Sequence, residues 1–169
     1  LDRSEKALSI AQARAKARSL DNIRFVQGSL TELESLELGL FDYIDCCGVL
    51  HHLPDPVAAL QTLERHLAPH GGMGLMVYAP YGRTGVYMVQ DALEKLAPLS
   101  HSPQELLDLA LRVLRTLPAT AWLHQNGNFL AHLSVGDAGL YDLLLYPRDR
   151  SYTLHDFLSL LVQSGLLPS

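Results

Sequence analysis

Between Phe41 and Tyr78 the chain runs FDYIDCC, then DPVAALQTLERHLAPHGG, then MGLMVY: an apolar run, an amphipathic stretch and a second apolar run, punctuated by proline and glycine. The middle stretch reads as a helix with both ends marked. Asp55 is placed to cap it, Pro56 suits its first turn, Val57, Leu60, Leu63 and Leu67 make its inward face, and Pro69 with Gly71 and Gly72 stop it. Strand, helix and strand in that order, with apolar runs on either side, are the rhythm of a parallel sheet covered by helices. This one segment sets the fold class as α/β.

The rhythm extends upstream. Ser4 can cap a helix to about Ser19, with Leu8, Ala11 and Ala15 on one side and Arg14, Lys16 and Arg18 near its C-terminal end. Next, IRFVQ reads as a strand ending at Gly28, and SLTELESLELG as a short helix or loop. Past Pro80 the pattern turns helical. VYMVQDALEKLA is amphipathic, SPQELLDLALRVLRTLP opens with a Ser102–Glu105 capping box, and WLHQNGNFLAHLSVGDAGL is loop-like. YDLLLYPRDRSY leads to a last helix capped by Thr153, with Leu154, Phe157, Leu158 and Leu161 inward and a stop at Gly165.

Composition excludes several classes. Thirteen Lys and Arg against 18 Asp and Glu leave a net charge of -5, which argues against a nucleic-acid partner bound through a basic face. No apolar run reaches the roughly 20 residues of a membrane-spanning helix, and a signal-peptide core is missing, so a cytoplasmic protein without a membrane partner is expected. The first residue is Leu1, and a helical pattern begins almost at once, which reads as a cut chain.

The clustered cysteines and histidines invite a chemical reading. His51 and His52 are adjacent, so on a regular helix or strand they diverge, and no i+4 partner completes a metal site; no metal is expected. Cys46 and Cys47 point to opposite faces of one strand, which disfavours a mutual disulfide, and a small apolar strand residue fits better than a nucleophile. GGMG at Gly71–Gly74 follows a helix and precedes a strand, the reverse of a dinucleotide loop, and is expected to be a turn. Asp2, just before a helix, stands where doubly wound folds hold a ribose, or where an acid favours a helix N-terminus.

Four stretches together resemble the class I S-adenosylmethionine-dependent methyltransferases: LDRSEKALSIAQARA, NIRFVQGSL, FDYIDCCGVLHHLPDP and LAPHGGMGLMVYAP, in that family's order, over Leu1 to about Pro80. The resemblance implies a partial Rossmann-like core over 1–80, a helical cap or insertion over 81–152, and a core-packing C-terminal helix over 153–169, with S-adenosylmethionine as cofactor. It implies that Asp2 holds the ribose hydroxyls and that Leu30 covers the adenine. Ser29 stands where most members have an aspartate; a serine can donate or accept but carries no charge. Cys46, Cys47 and Gly48 would approach the methionine portion, and Gly48 permits a close approach. His51 and His52 would lie on the methyl-transfer side as candidates for substrate orientation or base.

YGRTGVY with Gln90, and PRDRSYT, are similar to a bacterial branch of the same family. In the cap, Tyr81, Arg83, Tyr87, Arg148, Arg150 and Tyr152 are candidates to meet an acceptor, a small molecule or a protein; surface charge and packing are their ordinary roles. The family's glycine-rich loop does not precede Asp2, and its last strands do not follow SGLLPS, so an internal fragment with a depleted sheet is expected, rearranged or paired through its edges. Two other readings stand beside transfer: a catalytically inactive methyltransferase-like interaction module, and a nicotinamide-dependent oxidoreductase, where Asp2 would also serve a ribose.

Overall fold

The structure, a computed structural model, describes residues 1–97, 102–125, 127, 129, 134, 136–147 and 149–168. The chain divides into two compact units, one of Leu1–Met76 with Phe157–Ser169 and one of Val77–Asp156. Among the described residues, no helix is long and apolar enough to cross a membrane.

In the first unit, helix α1 covers Glu5–Ala17, and the Ser4 hydroxyl accepts from the Ala7 amide at 3.2 Å. The strand expected at IRFVQ does not form. Its backbone makes a single parallel bridge, Asp2 to Gln27, closed by Asp2 N–H to Val26 O (3.1 Å) and Gly28 N–H to Asp2 O (3.0 Å). A ladder needs a neighbour along its whole length. The neighbour here is the short stretch ahead of α1, which supplies one bridge. A 3-10 helix, Leu30–Leu36, follows, capped reciprocally by Ser29 and Glu32.

Strands β1 (Phe41–Cys47) and β2 (Leu67–Met76) form a two-stranded parallel sheet, joined through helix α2 (Pro56–Arg65) as the sequence rhythm requires. Asp55 caps α2 through Oδ1 to the Ala58 amide at 2.9 Å, and Pro56, Ala59, Leu60 and Leu63 are its buried face. Leu67 is not on that face, since the helix ends at Arg65 and Leu67 opens β2.

The turn expected at GGMG is also revised. Gly71 and Gly72 lie inside β2 at a break in register, where Phe41 pairs with Leu67 but Tyr43 pairs with Gly72. Glycine suits such a bulge because the backbones approach closely. A Cβ on Gly71 would sit 2.9 Å from the Asp42 carbonyl oxygen.

In the second unit, α3 (Thr84–Leu96), α4 (Pro103–Thr116) and α5 (Asp137–Leu144) share a core of Val86, Val89, Leu93, Ala110, Leu123, Leu140, Leu143 and Leu144. The α4 capping box forms as read: Glu105 N–H donates to Ser102 Oγ at 3.3 Å, and Ser102 N–H to Glu105 Oε2 at 2.6 Å. The stretch expected to be loop-like is helical where described at its ends, with a 3-10 turn at Trp122–Gln125 and the start of α5. Gly136 and Gly139 hide α5 from a propensity reading.

The boundary between the units falls within the last helix, α6 (Leu154–Gln163). Thr153 caps it, with Asp156 N–H donating to Thr153 Oγ1 and Thr153 N–H to Asp156 Oδ2, both at 3.1 Å. Its buried residues are Leu160 and Leu161, while Leu154 and Leu158 are exposed, so the expected inward face is rotated. The helix stops at Gly165, whose φ of +80° suits the glycine.

Candidate active site

Two groups of the expected cofactor residues lie at the carboxyl ends of parallel backbone in the first unit. One is built by the Asp2–Gln27 bridge. It sets Asp2, at the start of α1, beside Gly28 and the Ser29–Leu30 turn. The Asp2 side chain is exposed, and its Oδ1 accepts from the Ser4 amide at 2.7 Å, which fixes the carboxylate at the helix N-terminus, where a negative charge is favoured.

Ser29 spends its hydroxyl locally. Its Oγ accepts from the Thr31 amide at 3.3 Å and meets Thr31 Oγ1 at 2.7 Å, while its own amide donates to Glu32 Oε2 at 3.3 Å. Leu30 is half-buried at the start of the 3-10 helix.

The second group ends β1. Cys46 is buried opposite Leu75, Cys47 is exposed opposite Met76, and the Gly48 amide donates to Met76 O at 3.3 Å. Gly48 has φ +76°, a backbone state open to glycine and costly for other residues. Burial pushes the Cys46 thiol up to about 11. Cys47 is also raised, first by the hydrogen bond between its thiol and Asp45. Both thiols are therefore protonated at neutral pH, which fits strand residues rather than nucleophiles.

Beyond Gly48, the 3-10 turn Leu50–His52 carries both histidines. They do not diverge, as a regular helix or strand would have them. The tight turn brings their rings edge to face, with centroids 4.2 Å apart and planes at 68°. His51 is buried and His52 half-buried, so of the two His52 is the more open to a second reactant. Among the described residues no cluster of three or more His, Cys, Asp or Glu could hold a metal ion.

Of the described cap candidates, Arg83 and Tyr152 are buried, Tyr87 is half-buried, and Tyr81 and Arg150 are exposed. Arg83 is buried, and its Nη2 bonds Asp149 Oδ2 at 2.8 Å, with the two side chains 7% and 4% exposed. Its guanidinium stacks over Tyr78, 3.6 Å from the ring centroid, and lies 5.6 Å from that of Tyr87. Tyr152 is buried nearby along the chain, its amide donating to Tyr78 O at 2.8 Å.

Gln90 completes the arrangement, donating to Asp149 Oδ2 and to Leu143 O, each at 3.0 Å. Burial raises the phenols of Tyr78 and Tyr87; the Arg83 guanidinium offsets part of this at Tyr78, and the charge of Asp149 adds to it at Tyr87. Tyr81 and Arg150 are exposed, and Arg148 lies outside the described residues.

Sequence reasoning missed Asp149, the partner of Arg83. The signal lies in YGRTGVY with Gln90 and in PRDRSYT, which share one resemblance and hold both members of the ion pair and the amide that bonds Asp149.

Comparison with known proteins bears on what this arrangement belongs to. The family described as "Methyltransferase domain" matches residues 1–116. An uncharacterized protein of Synechococcus sp. is 41% identical over 97 residues, covering 57% of this chain and 23% of its own length. A ubiquinone biosynthesis O-methyltransferase of Albidiferax ferrireducens is 30% identical over 71 residues, covering 42% of this chain and 28% of its own. The fold matches PKMT2 from Rickettsia typhi in complex with AdoHcy with a TM-score of 0.63 at 17% identity, over 97% of this chain and 32% of that one. PKMT2 from Rickettsia typhi also matches in a second structure, with a TM-score of 0.59 over 96% of this chain.

The chain thus spans about a quarter of the length of these curated relatives and about a third of the solved chains. The nicotinamide reading finds no support in these matches, and the α/β fold expected from the sequence is the one they share. On the profile match over residues 1–116, the chain belongs to the methyltransferase-domain family.

Proposed function

We propose that this chain is part of an S-adenosylmethionine-dependent methyltransferase, acting on a small-molecule or protein acceptor, and that its first unit carries the ribose side of the cofactor site. The observation that carries this reading is Asp2, an exposed carboxylate at a helix N-terminus, paired in parallel with Gln27. That is the position from which doubly wound folds hydrogen-bond a ribose. Oδ1 is anchored by Ser4, which holds the group still and leaves Oδ2 to accept from a diol.

The rest of the group fits less evenly. Gly48, with its positive φ, follows β1 without a side chain and keeps its surroundings open for the methionine portion. Ser29 is already engaged as a helix cap, so adenine recognition would fall to the backbone near Leu30 and to the Leu30 side chain. The bound cofactor supplies an electrophilic sulfonium methyl, transferred by in-line displacement. The residues' part is to position the reactants and exclude water, with His52 as the candidate to orient the acceptor or take its proton. Of the candidates in the second unit, Tyr81 and Arg150 are exposed.

The test is retention of tritium-labelled S-adenosylmethionine by the full-length protein. Saturable retention, competed by S-adenosylhomocysteine and not by a nicotinamide dinucleotide, is expected. Absence of saturable retention would overturn the reading, and retention without methyl transfer to any acceptor would favour the inactive module.

A further inference from the structure

The chain enters the second unit after Met76 and leaves it after Asp156. The two stretches next to these crossings are tied to each other. Tyr152 N–H donates to Tyr78 O at 2.8 Å, Arg83 pairs with Asp149 at 2.8 Å, and Gln90 bonds Asp149 at 3.0 Å. Arg83 also covers the Tyr78 ring at 3.6 Å, so one guanidinium joins an acid of the outgoing stretch to an aromatic of the incoming one.

We propose that Arg83, Asp149 and Gln90 form a clamp within the second unit, fastening the outgoing stretch 149–153 to the incoming stretch 78–83 so that the two come apart from each other when the ion pair breaks. Three observations support it. The ion pair is almost fully removed from water, a setting in which losing one partner strands a charge and is strongly destabilising. Gln90 spends its amide on Asp149 Oδ2 and Leu143 O, holding the acid from a second direction. Finally, the Gln90–Asp149 and Arg83–Asp149 contacts join residues 59 and 66 positions apart along the chain, and the Tyr152–Tyr78 contact is made by backbone alone.

The clamp goes beyond the methyl-transfer reading and does not depend on it. It also assigns Arg83 a holding role in place of acceptor contact.

Amide hydrogen exchange in the full-length protein tests it without cofactor or acceptor. In Asp149→Asn, exchange at the Tyr152 amide should rise on the order of a hundredfold, while the Gly48 amide, bonded to Met76 O in the first unit, keeps its wild-type rate. Arg83→Lys keeps the charge and loses the planar fork, and should give a smaller rise at the same amide. If Asp149→Asn fails to fold, the Arg83→Lys result decides. An unchanged Tyr152 amide would overturn the clamp, as would an equal rise at Tyr152 and Gly48, which would make the pair a contributor to global stability alone.

Discussion

At the scale of single residues, the cysteines give the sharpest outcome. Burial holds the Cys46 thiol near 11, so the thiolate is scarce until the pH approaches that value. Iodoacetamide at pH 8, followed by mass spectrometry, should modify exposed Cys47 slowly and leave Cys46 unmodified until the protein is denatured. Rapid labelling of Cys46 in the folded protein would contradict this. The Cys–Cys–Gly run was legible as a strand end because alternation and the glycine are local properties. The histidine pair was not, since its ring contact comes from a 3-10 turn that no regular periodicity announces. Asp149 was missed for a related reason: its role depends on Arg83, 66 positions away.

Elements with two chemical ends were legible, and those needing a distant neighbour were not. Asp55 and Pro56 start α2, Ser102 and Glu105 start α4, and Thr153 starts α6, each through contacts within a turn of the cap. IRFVQ has the composition of a strand but obtains a single bridge, because strand formation depends on the partner as much as on the residues. Gly85 shows packing at this scale. A Cβ there would lie 2.5 Å from Leu123 N and 2.7 Å from the Trp122 carbonyl carbon, so at Gly85 helix α3 lies directly against backbone. Gly85→Ala should therefore lower unfolding stability by about 1–3 kcal/mol despite its better helix propensity, as measured by denaturant titration. A neutral or stabilising effect would show that the contact can relax.

For the whole molecule, the family and fold class were legible from the order of four short stretches, and the family match and fold likenesses agree with that order. The sheet was legible in part: both of its strands were read, and IRFVQ is not a third. Among the described residues β1 is paired on one side only, and Leu40 just before it and Tyr43 within it are more than half exposed. An edge of this kind is one that proteins ordinarily cover. The central claim is that Asp2 holds the ribose of S-adenosylmethionine. Calorimetric titration of the full-length protein with S-adenosylhomocysteine, wild type against Asp2→Ala, tests it most directly. A hydrogen-bonded carboxylate is worth about 1.5–3 kcal/mol, so the variant should bind about ten- to a hundredfold more weakly while keeping its fold by circular dichroism. Equal affinity in the two proteins, or no binding by the wild type, would contradict the claim.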